Sequence, residues 1–326
     1  MIIKHIIKNT ATRLVLLFKQ KVPLAKDTIL VNTDSWSKFN CALFNTNIDI
    51  STVPIDLISP NDYSKIVGYI GSIDKKYLKR LQRLQWLQIP SHGFNGYDVA
   101  NLYSNNDVVV CRCANLFAEA IAQYCISAYY MFNTYAFRRC CSSSKNDIIS
   151  GCNIIDKVNV LIVGLGNIGL CLAQRCNNMN WSVSGVKRNI SSNFPNYINA
   201  VYTFDEVQEH LSDFDYVINL LPETDQTKGI YDYNFFKRLK PGSLFCNVGR
   251  ASAVVEKDLL KAINDGLIGG AILDVSDSIS SGKNIIVTPH ISWKSDNNQD
   301  SINEFFTSQL LRYLNGLELQ HKVDLV

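Results

Sequence analysis

The sequence predicts an α/β protein built on a doubly wound parallel sheet, and three observations predict it. Near-continuous apolar segments recur through the second half: Val158–Val163, Trp181–Val186, Tyr216–Leu221, Ser243–Val248, Ala271–Val275 and Asn284–Thr288. Helical stretches separate several of them, and apolar strands alternating with helices make a parallel sheet covered on both faces. The first of these strands runs straight into Gly164-Leu165-Gly166-Asn167-Ile168-Gly169, and an apolar-periodic helix follows from Leu170 to Cys176. A dinucleotide pyrophosphate needs this arrangement. One glycine makes the tight turn, the next lets backbone approach phosphate, and the third packs helix on strand. Free N–H groups at the helix start then face the anion.

The earlier region is smaller and has the same rhythm. Arg13–Phe18 reads as a first strand, Ile66–Ile70 as a buried one, Tyr77–Leu84 as a basic helix and Trp86–Pro90 as a further strand. Leu116–Phe137 has no charge between Glu119 and Arg138, but Gln123, Ser127, Asn133 and Thr134 interrupt it. A helix buried against another domain or subunit fits that pattern better than a membrane span. Glu256–Asp265 places Leu259, Leu260 and Ile263 on one face before Gly266 stops the helix. A last helix begins at the capping pattern Ser301-x-x-Glu304, carries Phe305, Phe306, Leu310, Tyr313 and Leu314, and closes at Gly316. Lying beyond the last strand, it returns to the first domain.

Composition bounds the function. At 326 residues the chain is long enough for two domains, and 47% hydrophobic with 19% charged residues is a soluble globular balance. A net charge of +3 is too slight for a polyanion partner, and no Lys/Arg run or aromatic–basic stripe points to nucleic acid. The ten cysteines, Cys111/Cys113 and Cys140/Cys141 among them, fit neither metal-ligand spacing nor a disulfide framework. Reduced thiols in a cytoplasmic protein are the expectation. Lys4, Lys8, Arg13, Lys19, Lys21 and Lys26 precede the first acid, Asp27. That pattern suits an organelle transit segment or a first strand with basic flanks, and no secretory h-region or cleavage pattern is present.

Six motifs follow in order: Val163-Gly-Leu-Gly-Asn-Ile-Gly169, Leu221-Pro-Glu-Thr-Asp-Gln-Thr227, Leu239-Lys-Pro-Gly242, Asn247-Val-Gly-Arg250, Gly270-Ala-Ile-Leu-Asp274 and Thr288-Pro-His-Ile291. Over roughly residues 153–326 this series resembles the D-isomer-specific 2-hydroxyacid dehydrogenases, in the short form of the glyoxylate/hydroxypyruvate reductases. The first domain matches more loosely, through Ser91-His92-Gly93-Phe94-Asn95. The resemblance implies two Rossmann-like domains. A dinucleotide-binding domain, residues 103–291, is inserted in a smaller flavodoxin-like substrate domain of residues 1–102 and 292–326, with the active site in the cleft between them. It implies reversible hydride transfer between a nicotinamide and the C2 carbon of a small 2-oxo/2-hydroxy acid. His290 then donates and accepts the proton, and Arg250 binds the carboxylate and polarises the carbonyl. The amides around His92 and Gly93 hold the other carboxylate edge, and Trp293 either walls the pocket or anchors the last helix. Gly164, Gly166, Asn167, Ile168, Gly169, Leu221, Pro222, Thr227, Val248 and Gly249 contact the cofactor, together with Arg250, Asp274 and His290. Dimerisation through the buried Leu116–Phe137 segment is also implied.

Two departures qualify this reading. The family's third catalytic residue is a carboxylate, usually Glu, five positions after the aspartate matched by Asp274, and here that position is Ile279. Asp277 is the only acid left between Asp274 and His290. A rebuilt loop that aimed it at His290 would favour the imidazolium and restore proton donation; otherwise it is a solvated turn residue. The second strand ends in Lys187-Arg188-Asn189, with no acid to bind ribose hydroxyls. Two cations there suit the 2′-phosphate of NADP(H), with NAD(H) as the lesser partner. Two functions remain: an NADPH-dependent reductase of a small 2-oxo acid, or a dinucleotide-binding sensor that kept the fold and lost efficient catalysis. No metal, membrane or nucleic acid is expected.

Overall fold

A computed structural model describes residues 21–36, 39–40, 44, 47–91, 93, 96–134, 155–190, 193–282, 284–295 and 298–325. The chain divides into two compact units, residues 1–116 with 296–326, and residues 117–295.

The first unit holds β1 (Thr28–Val31), β2 (Asp49–Ser51), β3 (Ile66–Ile70), β4 (Trp86–Gln88) and β5 (Val109–Cys111) in one parallel sheet of order β2-β1-β3-β4-β5. This is the flavodoxin-like order. The sequence boundary at 102/103 moves to Leu116, because β5 pairs with β4 and so belongs to this sheet. The later boundary falls at residue 296 instead of 292. Tyr77–Leu84 does not form an α-helix. Leu78, Leu81 and Leu84 are all buried three residues apart, and successive i→i+3 bonds join Leu81 to Leu78 and Leu84 to Leu81. That spacing suits the 3₁₀ geometry that Lys75–Arg80 adopts after its Asp74 cap. The expected strand at Arg13–Phe18 lies outside the described residues.

The chain's last helix closes this unit. It spans Asn298–Leu314, three residues ahead of the expected Ser301 start, so Ser301 sits inside the first turn and is no cap. On it Gln309 is fully buried, donating through Nε2 to Gln88 Oε1 (3.0 Å) and to Gln320 O (3.0 Å). Gln88 in turn donates to Ile89 O and Cys111 O. Beyond Gly316 the tail runs antiparallel to β5, with Val323 N donating to Val110 O.

The second unit begins with α1 (Ala118–Asn133), then β6 (Asn159–Val163), α2 (Asn167–Asn178), β7 (Ser182–Val186), β8 (Ala200–Tyr202), β9 (Tyr216–Asn219), α3 (Tyr233–Arg238), β10 (Leu244–Asn247), α4 (Glu256–Asn264), β11 (Gly270–Leu273) and β12 (Ile285–Val287). The last helix, Asn298–Leu314, is therefore α5. All seven strands are parallel, in the order β12-β11-β10-β9-β6-β7-β8. The order reverses between β6 and β9, and the loops leaving these strands diverge at their carboxyl ends. Ligands of open α/β sheets bind at such switch points. One sheet face packs Leu161, Val217, Phe245 and Ala271 against Tyr231, Phe235, Phe236 and Leu259. The α1 helix is held by Tyr216 Oη, which donates to Cys125 O (2.9 Å), and by an Arg175–Glu119 ion pair to α2. No helix among the described residues is long and apolar enough to cross a membrane.

Replacing Gln309 by Ala strands the buried Gln88 amide oxygen and Gln320 carbonyl. The expected cost is about 1–3 kcal/mol, read from urea denaturation. A loss below about 0.5 kcal/mol would show that the amide ladder carries little of the docking of α5.

Candidate functional site

The glycine turn is built as its spacing requires. Gly164 has a φ of +112°, where a side chain is strained, and the amides of Gly164 and Leu165 donate to Val186 O. A Cβ on Gly169 would stand 2.3 Å from Gly164 O, so only glycine lets α2 start this close to β6. A Cβ on Gly166 would meet nothing within 4 Å, and no side chain caps the helix there. Open space therefore lies beside Gly166, at the start of the first turn formed by Asn167 and Ile168. These features fit a dinucleotide pyrophosphate. Past β7, Lys187 and Arg188 are exposed, and the Lys187 ammonium lies 5.6 Å from the centroid of the Phe194 ring.

Two buried asparagines at equal register end β9 and β10, Asn219 and Asn247. Asn219 Nδ2 donates to Asn247 Oδ1 (2.9 Å), and Asn219 Oδ1 accepts from Tyr231 Oη (3.0 Å) and Leu221 N (3.1 Å). Asn247 accepts from Gly249 N (3.0 Å) and donates to Arg250 O (2.9 Å). This pair shapes both loops. A Cβ on Gly249 would come within 2.7 Å of Leu221 O, so the loops touch, with Val248 buried between β10 and the turn. Thr227 then closes the first loop, donating to Pro222 O (2.7 Å) and accepting from Thr224 N (2.9 Å). Sequence reasoning quoted Asn247 only as a motif letter and passed over Asn219. A polar residue closing each of two adjacent apolar strands was the available signal.

The loop carrying His290 hangs on Asp274. That carboxylate, 1% exposed, accepts from Thr288 Oγ1 (2.6 Å), Ile291 N (2.8 Å) and Ser292 N (2.9 Å). Tyr124 Oη on α1 donates to Thr288 Oγ1 (2.7 Å), extending the chain. His290 N donates to Asp274 O, and the backbone there has a φ of +54°. A bulky residue held in the left-handed region is uncommon and clusters at functional sites. Trp293 anchors the loop: its Nε1 donates to His290 O (2.9 Å), and its ring meets Phe117 edge-on at 5.7 Å. The His290 imidazole is exposed, and no described residue hydrogen-bonds it.

Arg250, His290, Asp274, Asp277 and Glu223 line one open cavity of about 750 Å³ at the carboxyl ends of β9 to β12. Arg250 is half-buried and donates to Gly249 O (2.7 Å). The Asp277 carboxylate is exposed, and no described residue hydrogen-bonds or ion-pairs with it. Its own amide donates to Glu256 Oε1 (2.7 Å) at the start of α4. Glu256 also accepts from Ser276 Oγ (2.6 Å), Ser278 N (3.0 Å) and the Ser278 hydroxyl. Ile279 is buried as part of the apolar cluster that includes Leu273 and Leu259, and where it lines the cavity its side chain has no polar atom to offer His290. Gly93 lies in the first unit and accepts from Ser91 Oγ (2.6 Å). His92 lies outside the described residues.

The described cysteines are free thiols, and burial pushes Cys176 up to about 12, too high to ionise at neutral pH. Cys140 and Cys141 lie outside the described residues. No cluster of described residues has metal-ligand composition.

Residues 143–292 match the model of the D-isomer specific 2-hydroxyacid dehydrogenase, NAD binding domain. A glyoxylate/hydroxypyruvate reductase B of Cronobacter sakazakii is 26% identical over 80% of this chain and 86% of its own. A D-isomer specific 2-hydroxyacid dehydrogenase family protein from Aeromonas salmonicida superposes with a TM-score of 0.75 at 22% identity, covering 92% of this chain and 99% of that one. An NADPH-dependent glyoxylate/hydroxypyruvate reductase of Sinorhizobium meliloti, solved with NADP and malonate, gives 0.72 at 18% identity, covering 92% and 97%.

Partial burial of Glu256 would raise its pKa, but the Ser276 and Ser278 hydroxyls and the Asp277 and Ser278 amides outweigh that and hold it below its ordinary range. A depressed carboxyl stabilises above its unfolded value near 4.5, and the gain is lost as pH falls through the folded value. Glu256→Gln is expected to cost about 1–2 kcal/mol at pH 7, with the gap to wild type closing as pH falls below 4.5 and through the lower folded value. Thermal melts across pH check this. A gap independent of pH would mean that charge does not hold the loop.

Proposed function

We propose that this chain, a member of the D-isomer specific 2-hydroxyacid dehydrogenase family, reduces a small 2-oxo acid with NADPH. The observation that carries this is the convergence of Arg250 and His290 on one cavity beside the glycine turn's sheet edge. The bound dinucleotide supplies hydride to the carbonyl carbon, which leaves negative charge on the carbonyl oxygen. His290 gives that oxygen its proton, and takes it back in the reverse direction. Arg250 holds the substrate carboxylate and polarises the carbonyl with a planar, two-pronged cation. His92 and Gly93 hold the other carboxylate edge.

Gly164, Gly166, Asn167, Ile168 and Gly169 bind the pyrophosphate. Leu221, Pro222, Thr227, Val248 and Gly249 flank the cofactor, and Asp274 lies at its nicotinamide end. Lys187 and Arg188 favour NADP(H) over NAD(H), as the NADP bound to the Sinorhizobium meliloti enzyme also supports. Asp277, lining the same cavity as His290, is the acid that stands in for the missing carboxylate. The protein acts as a homodimer with α1 at the contact, in the cytoplasm, a compartment that suits the free thiols. One observation favours the sensor reading: Ile279 is buried where a catalytic carboxylate would stand.

Loss of NADPH absorbance with glyoxylate and hydroxypyruvate, run beside NADH, tests the assignment. His290→Ala is expected to lose about 10²–10⁴-fold in rate, and Asp277→Asn to fall at the lower end of that range. Exchanging Lys187 and Arg188 for Ala should erase the preference for NADPH. NADPH binding without turnover on either acid would favour the sensor.

A further inference from the structure

We infer that Glu223 sets the charge selection of the substrate cavity: it rejects 2-oxo acids with a second anionic group and favours tails that donate hydrogen bonds. The inference rests on the cavity being the oxo-acid site. Glu223 stands in a loop whose neighbours are fixed on both sides. Pro222 O accepts from Thr227 Oγ1 (2.7 Å), Thr224 N donates to the same hydroxyl (2.9 Å), and Leu221 N is tied to the buried Asn219 (3.1 Å). A residue between such anchors is displayed, and its exposed carboxylate lines the cavity with Arg250 and His290.

The charges around it are unequal. Arg250 is the only permanent cation among the described lining residues, against the carboxylates of Glu223, Asp274 and Asp277. Asp274 is spent on Thr288, Ile291 and Ser292. With Arg250 pairing the C1 carboxylate of a substrate, the exposed carboxylates left in the lining are those of Glu223 and Asp277, beside hydroxyls such as Ser252, Ser280 and Ser281. Nothing described there would neutralise a second carboxylate or a phosphate. A hydroxyl or ammonium tail finds acceptors. A like charge in the same partly wet cavity weakens binding by about 5- to 10-fold.

The test compares kcat/KM within each enzyme, so that a general loss of fold cancels. Wild type, Glu223→Gln and Glu223→Arg are assayed with NADPH and four acids: glyoxylate, hydroxypyruvate, 2-oxoglutarate and its neutral ω-amide. In wild type the ω-amide should be preferred to 2-oxoglutarate, and added salt should shrink that preference. Glu223→Gln should raise the 2-oxoglutarate/glyoxylate ratio by about 5- to 10-fold and Glu223→Arg further, while hydroxypyruvate/glyoxylate falls. Equal rejection of amide and dicarboxylate in wild type, or ratios unmoved in the variants, would overturn the role of Glu223 and leave the reductase standing. Absence of turnover on every acid in wild type would overturn both.

Discussion

Three donors converge on the Asp274 carboxylate, and the loop that carries His290 depends on them. His290 occupies a left-handed backbone conformation that a bulky side chain adopts at a cost of roughly 1–3 kcal/mol. Thr288 on one side and Ile291 and Ser292 on the other bind the same carboxylate, so the chain must turn sharply between them. His290 N returns to Asp274 O, and Trp293 fastens His290 O. The imidazole is left exposed at the top of the turn. Asp274 itself sits at the end of β11, where its strand is buried, so the loop inherits the rigidity of the sheet.

The same logic places the other half of the cavity. Asn219 and Asn247 are paired neighbours in β9 and β10, and both are buried. Buried amides must be satisfied, and here the partners are loop amides and carbonyls beyond the strands. Each asparagine therefore converts strand register into loop position. Arg250 is held three residues past Asn247 and the Leu221–Thr227 turn two residues past Asn219. Because both loops emerge from adjacent strands near the switch point, they meet over one depression without any long connection.

Legibility in the sequence followed the range of the cause. The glycine turn, the rhythm of six strands in the second half and Gly266 as a helix stop are local, and the structure contains each of them. The short strands β1, β2, β5 and β8 were not singled out, since three or four residues give too little period to separate strand from loop. Leu78, Leu81 and Leu84 read as helix because period three lies close to 3.6, and only their joint burial shows the tighter geometry. The domain boundary was misplaced because pairing of β5 with β4 is a contact between distant residues. Arg250, Asp274 and His290, which line the cavity, were legible as letters of a motif series. The cavity's supports were not, since Asp274 and Glu256 act across some fourteen to twenty-two residues.

The missing carboxylate is where these two ranges of evidence meet. Ile279 was legible as a departure, but a departure does not say what the loop does instead. Glu256, a residue of α4 with no expected role, gathers the Ser276 and Ser278 hydroxyls and two successive amides. A charged acceptor with four donors is a stronger anchor than any single neutral bond. Ser276 Oγ then takes the amide of Ile279 (3.0 Å), and the turn rotates the isoleucine inward. Once it is inward, burial of its side chain is favourable and a carboxylate there would be desolvated. The substitution and the serine-rich loop are therefore one change. A loop closed around Glu256 must place an apolar residue at 279, and any acid serving His290 has to come from a residue that the clamp leaves facing outward, as it leaves Asp277.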